Sequence, residues 1–207
     1  MIFSEQWVRE WVDHGQDSAV LQEQLTMAGL EVGSVSPVAN QFEGIVVGEI
    51  LSVSDHPHAD KLRVCQVSDG NDQFQVVCGA PNAREGMKAP LARVGAVIRF
   101  LDPEKTVEIE RTDIRGVESC GMLCSGEELG IEESSDGLFE LQGDPANGQN
   151  IRELLQLDDN RFELDLTPNR GDCLSIAGLA REIGVLNQAP VSEPPVEPVP
   201  DTSGKSF

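Results

Sequence analysis

Positive charge is scarce in this sequence: 15 Lys and Arg stand against 36 Asp and Glu, a formal net charge of −21. Phosphate contacts need cations, so this balance argues against a protein that holds nucleic acid by bulk charge. Long apolar runs are also absent. None approaches the roughly 18 residues of a membrane span, and Met1 to Trp11 lacks the basic-then-apolar layout of a signal peptide. No membrane association is expected, and the chain is placed in the cytoplasm. The five cysteines (65, 78, 120, 124 and 173) are odd in number and contain no C-x-x-C. Most lie in apolar segments where a reduced thiol packs as a small hydrophobe, so neither a disulfide framework nor a zinc site is expected. The Gly79-Ala80-Pro81-Asn82 stretch has the spacing of neither a phosphate loop nor a dinucleotide fingerprint, which leaves a tight turn and no nucleotide site.

What remains is a globular composition, 39% hydrophobic and 25% charged, in a length that suits two small modules. Ser4 can cap a short helix with Trp7, Val8 and Trp11 on one side, and a second helix runs from Asp17 or Ser18 to Gly29 with Leu21, Leu25 and Ala28 on one stripe. Short alternating segments broken by Gly, Pro, Asn and Asp follow, the pattern of a small all-β barrel. Candidate strands are 45–53, 61–67, 75–78, 89–92, 107–109 and 121–124, of which five suffice for an OB-type barrel. Ser125 with Glu128 forms a capping box that opens one helical turn. Beyond the barrel, 150–157 is expected to be helical, 161–167 extended, and Asp172 to cap a helix carrying Ile176, Leu179, Ala180 and Ile183. Prolines at 190, 194, 195, 198 and 200 mark 188–207 as a linker. The expected domains are therefore a discontinuous module of 1–41 plus 149–187 around a barrel of 42–148.

Charge is unevenly spread. Between Lys61 and Arg115 nine basic residues meet eight acidic ones, whereas 116–150 holds eight acidic residues and no basic one, so an RNA face belongs on the first part of the barrel. His56-Pro57-His58 could suggest a metal, but no second ligand pair stands nearby, and Asp60 before Lys61 reads as a turn closed by a side-chain hydrogen bond. Lys61 and Arg63, at spacing two, are expected to share an outer strand face while Leu62 and Val64 point inward. Positions 120, 122 and 124 are expected to share a packing face. Ser119 and Ser125 lack a neighbouring histidine, so no catalytic residue is assigned. Arg170-Gly171-Asp172 is explained by the Asp172 cap.

Three motifs carry a family resemblance: H-P-H-A-D-K-L-R-V at 56–64, V-C-G-A-P-N at 77–82, and I-R-G-V-E-S-C-G-M-L-C-S-x-E-E-L-G at 114–130. Together they resemble the tRNA-binding domain of free-standing tRNA-binding proteins and some synthetases. The flanks S-E-Q-W-V at 4–8, L-T-M-A-G-L-E-V at 25–32 and L-T-P-N-R-G-D-C-L-S at 166–175 are similar to the opening of phenylalanyl-tRNA synthetase β subunits. The resemblance implies a fold that is mainly β with an α+β part, an OB-fold barrel inserted into a small discontinuous helix-and-strand module. It implies tRNA contact through Lys61, Arg63, Asn82, Arg84, Lys88, Arg93, Arg115, Ser119, Met122 and Ser125. It also implies phenylalanine-specific tRNA and the synthetase α subunit as partners, ATP and magnesium in the intact two-α, two-β enzyme but none in this chain, no DNA, and no catalysis by this chain itself. One departure weakens the RNA reading: Glu108 and Glu110 stand where the family often carries lysines. The alternative is a structural or docking module with little RNA binding.

Overall fold

A computed structural model describes residues 1–100 and 105–195, and the part of the expected linker at 196–207 lies outside them. The described chain forms two compact units, one of residues 1–36 with 159–195 and one of Pro37–Asp158.

The first unit begins with β1 (Ile2–Ser4), α1 (Glu5–Trp11), α2 (Ser18–Met27) and β2 (Glu31–Pro37). The caps are local and follow the sequence. Ser4 accepts the Trp7 N–H and Asp17 accepts the Val20 N–H, each side chain satisfying an amide that the helix leaves unpaired.

In the second unit β3 (Gln41–Asp55) is followed by β4 (Arg63–Ser68), β5 (Gln73–Cys78) and β6 (Lys88–Arg99). Then come β7 (Thr106–Glu108), β8 (Thr112–Ile114), β9 (Val117–Ser119), β10 (Gly121–Leu123), the helical turn α3 (Gly126–Leu129) and α4 (Ile151–Leu154). The order β10-β6-β3-β4-β5 makes a curled antiparallel sheet with β7 paired to the end of β6, and β8 and β9 form a separate hairpin. One long strand serves two neighbours: β3 pairs with β6 through residues 41–49 and with β4 through 49–55, with register shifts at Glu43/Ile45 and Ile50/Ser52. Gly44 makes the first bend possible. Its φ is +77° and an added Cβ would meet Ala96 Cα at 3.0 Å.

The two ends of this sheet are joined. The Cys120 N–H donates to the Gln75 carbonyl at 2.8 Å, the Gln75 amide donates to the Glu118 carbonyl at 2.8 Å, and the Val77 N–H donates to Ser119 Oγ at 3.0 Å. A Greek-key barrel of five strands results, which is the OB architecture. Its interior holds Ile45, Val47, Ile98 and Leu129 toward one end, and Ile50, Cys65, Val67, Val76 and Leu91 toward the other.

The first unit is completed by β11 (Asn160–Asp165), a 3-10 segment (Pro168–Cys173) and α5 (Ile176–Asn187), with β11 central between β1 and β2. Phe3 stacks on Phe162 with ring centroids 5.1 Å apart, over Leu21, Leu25, Leu164 and Leu179.

Several expectations need correction. Ile151 and Leu157 are buried in the barrel core, so the 150–157 segment belongs to the second unit, and the boundaries fall at Ser36 and Asp158 rather than at 41 and 149. Trp7 is 52% exposed; Val8 and Val12 turn inward instead. Ser175, not Asp172, caps α5, because Asp172 lies in the 3-10 turn and pairs with Arg170. The first residues of the expected linker are fixed: Ala189 N–H donates to the Gly184 carbonyl and Ser192 N–H to the Trp11 carbonyl.

Glu5 ties the first unit together. It is 4% exposed and accepts from Arg9 at 2.7 Å, Ser18 at 2.7 Å and Asn160 at 3.0 Å. Burial pushes its pKa up, but the bonds from Asn160, Ser18 and Arg9 outweigh burial and hold it below the ordinary 4.5. Glu5→Ala should cost about 2 to 3 kcal/mol near neutral pH by orphaning three donors. A depressed folded pKa means this contribution is present above pH 4.5 and lost as pH falls below it, so the stability gap between variant and wild type in denaturant unfolding should narrow at about pH 3.

Candidate nucleic-acid interface

The loop that joins β3 to β4 contains the H-P-H-A-D-K-L motif, and the long connection from β6 to β10 contains β7 and the β8–β9 hairpin. In an OB barrel these two loops flank the face of the second and third strands, the usual nucleic-acid surface. Here they are bonded to each other. His56 Nε2 lies 2.9 Å from the Ile114 carbonyl oxygen, and an added Cβ on Gly116 would stand 3.7 Å from His58 Cδ2. The 56–62 turn is closed by His56 as well, since its Nδ1 accepts the His58 N–H at 3.1 Å and its own N–H donates to the Leu62 carbonyl at 3.1 Å. Asp60 does not close the turn as expected.

Lys61 sits in this turn and not in a strand, which starts at Arg63. Strand parity is also opposite to expectation, for Cys65 and Val67 are buried while Leu62 and Val64 are half-buried. Arg63 shares the inward parity of Cys65 but stands at the strand's first residue, exposed, with a long 3.8 Å pair to Asp55. Arg115 is at the hairpin tip with φ +54° and is exposed. The loop-to-loop bond joins the turn that carries Lys61 to the hairpin tip that carries Arg115. Among the described residues of Pro37–Asp158, Lys61 and Arg115 are the two cations with neither an ion pair nor a hydrogen bond.

The other expected contacts are committed inside the fold. Asn82 donates to and accepts from Leu138 backbone atoms at 2.9 Å each, Arg84 pairs with Glu140, and Lys88 reaches Asp144 at 2.6 Å and the Pro145 carbonyl at 2.7 Å. Arg93 pairs at 3.2 Å with buried Asp69; burial pushes that carboxyl up, but the Asp72 and Asn71 N–H groups and Arg93 hold it below its ordinary value. Ser119 is buried, accepting from Val77 and donating to the Gly121 carbonyl at 3.0 Å. Ser125 caps α3 in a complete capping box with Glu128.

Met122 stands between two clefts of about 330 Å³ each. One includes Val107, Glu108, Glu110, Ile114 and Ser119, so the acidic departure noted in the sequence lines the groove beside the hairpin. The other includes Cys78, Ser125, Glu128, Asp136 and Gly137. A hydrogen bond from Cys65 draws the Cys78 pKa down against the effect of burial, with the Ala80 N–H adding a 3.4 Å bond. The packing face at the chain's C-x-x-x-C is made by Gly121, Leu123 and Cys124 rather than by 120, 122 and 124. Gly121 has φ +146° and lies against the Ala92 carbonyl, where a Cβ would stand at 2.8 Å.

From Ile45 of β3 onward, the five barrel strands, both loops and the capped turn after β10 fall within residues 45–150, which match a family model described as "Putative tRNA binding domain" over half of the chain. The chain belongs to this tRNA_bind family. Beyond the family domain the chain is 56% identical over 197 residues to the phenylalanine–tRNA ligase β subunit of Hahella chejuensis, covering 95% of this chain and 24% of that protein. It is 50% identical over 208 residues to the same subunit of Pectobacterium atrosepticum, covering 100% of this chain and 26% of that protein. The chain spans about a quarter of the length of these curated relatives. Among solved structures, a MetRS-related protein from Pyrococcus horikoshii is similar over 54% of this chain and 87% of that one, at 22% identity and a TM-score of 0.38.

The tRNA_bind domain uses Ser119 to close its barrel. Ser119→Ala should lower stability by about 1 to 2 kcal/mol, because the Val77 N–H and the Gly121 carbonyl lose their partner. Equilibrium unfolding with an unchanged denaturant slope is the expected record.

Proposed function

We propose that the barrel meets the sugar-phosphate backbone of tRNA through Lys61, Arg115 and Arg63, as a non-catalytic contact module of a phenylalanine–tRNA ligase β subunit. The observation that carries this reading is the bond between the two loops that flank the second and third strands, each of which carries one cation without an ion pair or hydrogen bond among the described residues. Two or three cations can position an RNA without reading its sequence, so specificity for phenylalanine tRNA, and the use of ATP and magnesium, belong to the whole protein together with an α subunit. The same reading puts the chain in the cytoplasm.

A second reading is favoured by different residues. Glu108 and Glu110 line the groove beside the hairpin, and the net charge is −21, both of which repel phosphate. The first unit meanwhile exposes Trp7, Met27, Leu174 and Val185, as a unit that docks on protein would. In that case RNA contact is incidental.

Charge reversal separates the two. Lys61→Glu with Arg115→Glu should weaken tRNA binding and flatten its dependence on log salt by roughly 0.7 to 0.9 for each phosphate that the variant no longer neutralises. Reversal of Arg161 and Arg181 in the first unit, at the same ionic strength, measures the effect of net charge alone. Equal losses of affinity in the two pairs would remove the barrel face as an RNA site and leave the docking reading.

A further inference from the structure

His56 is buried, yet both of its ring nitrogens are used, and each use dictates a protonation state. Nδ1 lies 3.1 Å from the His58 backbone nitrogen, a group that can only donate, so Nδ1 carries no proton. Nε2 lies 2.9 Å from the Ile114 carbonyl oxygen, a group that can only accept, so Nε2 carries one. These two contacts together admit one species, the neutral imidazole protonated on Nε2. A metal ion would need one of the same lone pairs, which the His58 amide already occupies.

The two bonds differ in what they hold. The Nδ1 bond is internal to the 56–62 turn and shapes it around Ala59, whose N–H reaches the His56 carbonyl. The Nε2 bond crosses to the hairpin and is the hydrogen bond that joins the turn to Ile114, one residue before Arg115. Pro57 restricts His56 to extended backbone geometry, which helps keep the ring aimed along this line. Without the cross-loop bond, neither an ion pair nor another hydrogen bond of Lys61 or Arg115 would fix the separation of the two cations.

We infer that His56 is a positioning residue, a neutral imidazole whose Nε2–H···O=C bond to Ile114 sets the spacing of Lys61 and Arg115 for two phosphates of one RNA strand. The inference rests on the proposed RNA reading for its last step only; the bond and its tautomer stand independently. Two isosteric variants divide the ring. In H56N the amide oxygen replaces Nδ1 and retains the turn but does not reach Ile114, and in H56Q the amide nitrogen replaces Nε2 and retains the crossing.

The test uses the full chain and three readouts. Nitrogen-15 NMR of the wild-type imidazole should show the Nε2-protonated tautomer, and the cross-peak between the His58 ring and Gly116 should be present in the wild type and H56Q but absent in H56N, with thermal midpoints confirming that both variants fold. Affinity for tRNA should follow the cross-peak: H56Q within about threefold of wild type, H56N down by about tenfold, as far as the Lys61→Ala, Arg115→Ala double variant. An Nδ1-protonated ring, or a cross-peak that survives in H56N, would overturn the inference whatever RNA does. An absent cross-peak with unchanged affinity, where the double cation variant does bind more weakly, would also overturn it. If the double cation variant keeps wild-type affinity, the RNA reading itself fails, and the tautomer and cross-peak still decide the positioning role.

Discussion

The barrel depends on joining the free edge of β5 to the segment around β10. An open curled sheet would present unpaired amides and carbonyls along both edges, a template for pairing with other chains. The seam is made by unlike groups: a backbone bond at Cys120, a side-chain amide at Gln75, and the Ser119 hydroxyl, which stands in for a backbone acceptor opposite Val77. Gly121 lets the backbone approach Ala92 closely enough for the turn into β10. Once closed, the seam creates the clefts on either side of Met122 and brings the β8–β9 hairpin over the 56–62 turn. The candidate interface is therefore a consequence of closure, assembled from loops that the barrel holds in place.

Charge sets the scale of that interface. Most cations of the barrel unit are drawn into pairs with acidic neighbours or with loop carbonyls, as at Arg84, Lys88, Arg93, Arg99 and Arg152. The exposed pairs among them, such as Arg99 with Glu43, contribute little to stability, on the order of 0 to 1 kcal/mol. Their larger effect is to withdraw positive charge from the surface available to phosphate. What is left is a narrow basic spot beside a groove bearing Glu108 and Glu110, suited to weak backbone contact and unsuited to independent, tight binding. That fits a module whose relatives carry it within a protein about four times as long.

Local features are legible in the sequence and distant ones are not. The caps at Ser4, Asp17 and Ser125 depend on partners three residues away, and all three form. Alternation and turn residues locate the barrel strands, because period two and Gly, Pro, Asn and Asp breaks are properties of neighbouring positions. Strand parity at 61–67 is misread from sequence because Leu62 and Val64 are the more apolar pair, whereas the barrel interior is filled by Cys65 and Val67. Asn82, Arg84 and Lys88 read as surface polar groups, but their partners lie 56 or 57 residues onward in the 138–145 stretch, beyond any local pattern. In the sequence His56 reads as part of a turn and of a family motif, with a metal role set aside. Its use as a tautomer-specific link becomes visible once Ile114, 58 residues away, is placed beside it.

We propose that RNA meets this chain at the two bonded loops. Photocrosslinking of phenylalanine tRNA to the full chain at low salt, with the joined peptides identified by mass spectrometry, tests this most directly. The account predicts crosslinks within 56–63 and 107–117. Crosslinks concentrated around Arg84 and Lys88 or in residues 1–36 and 159–195, or none at all, would contradict it.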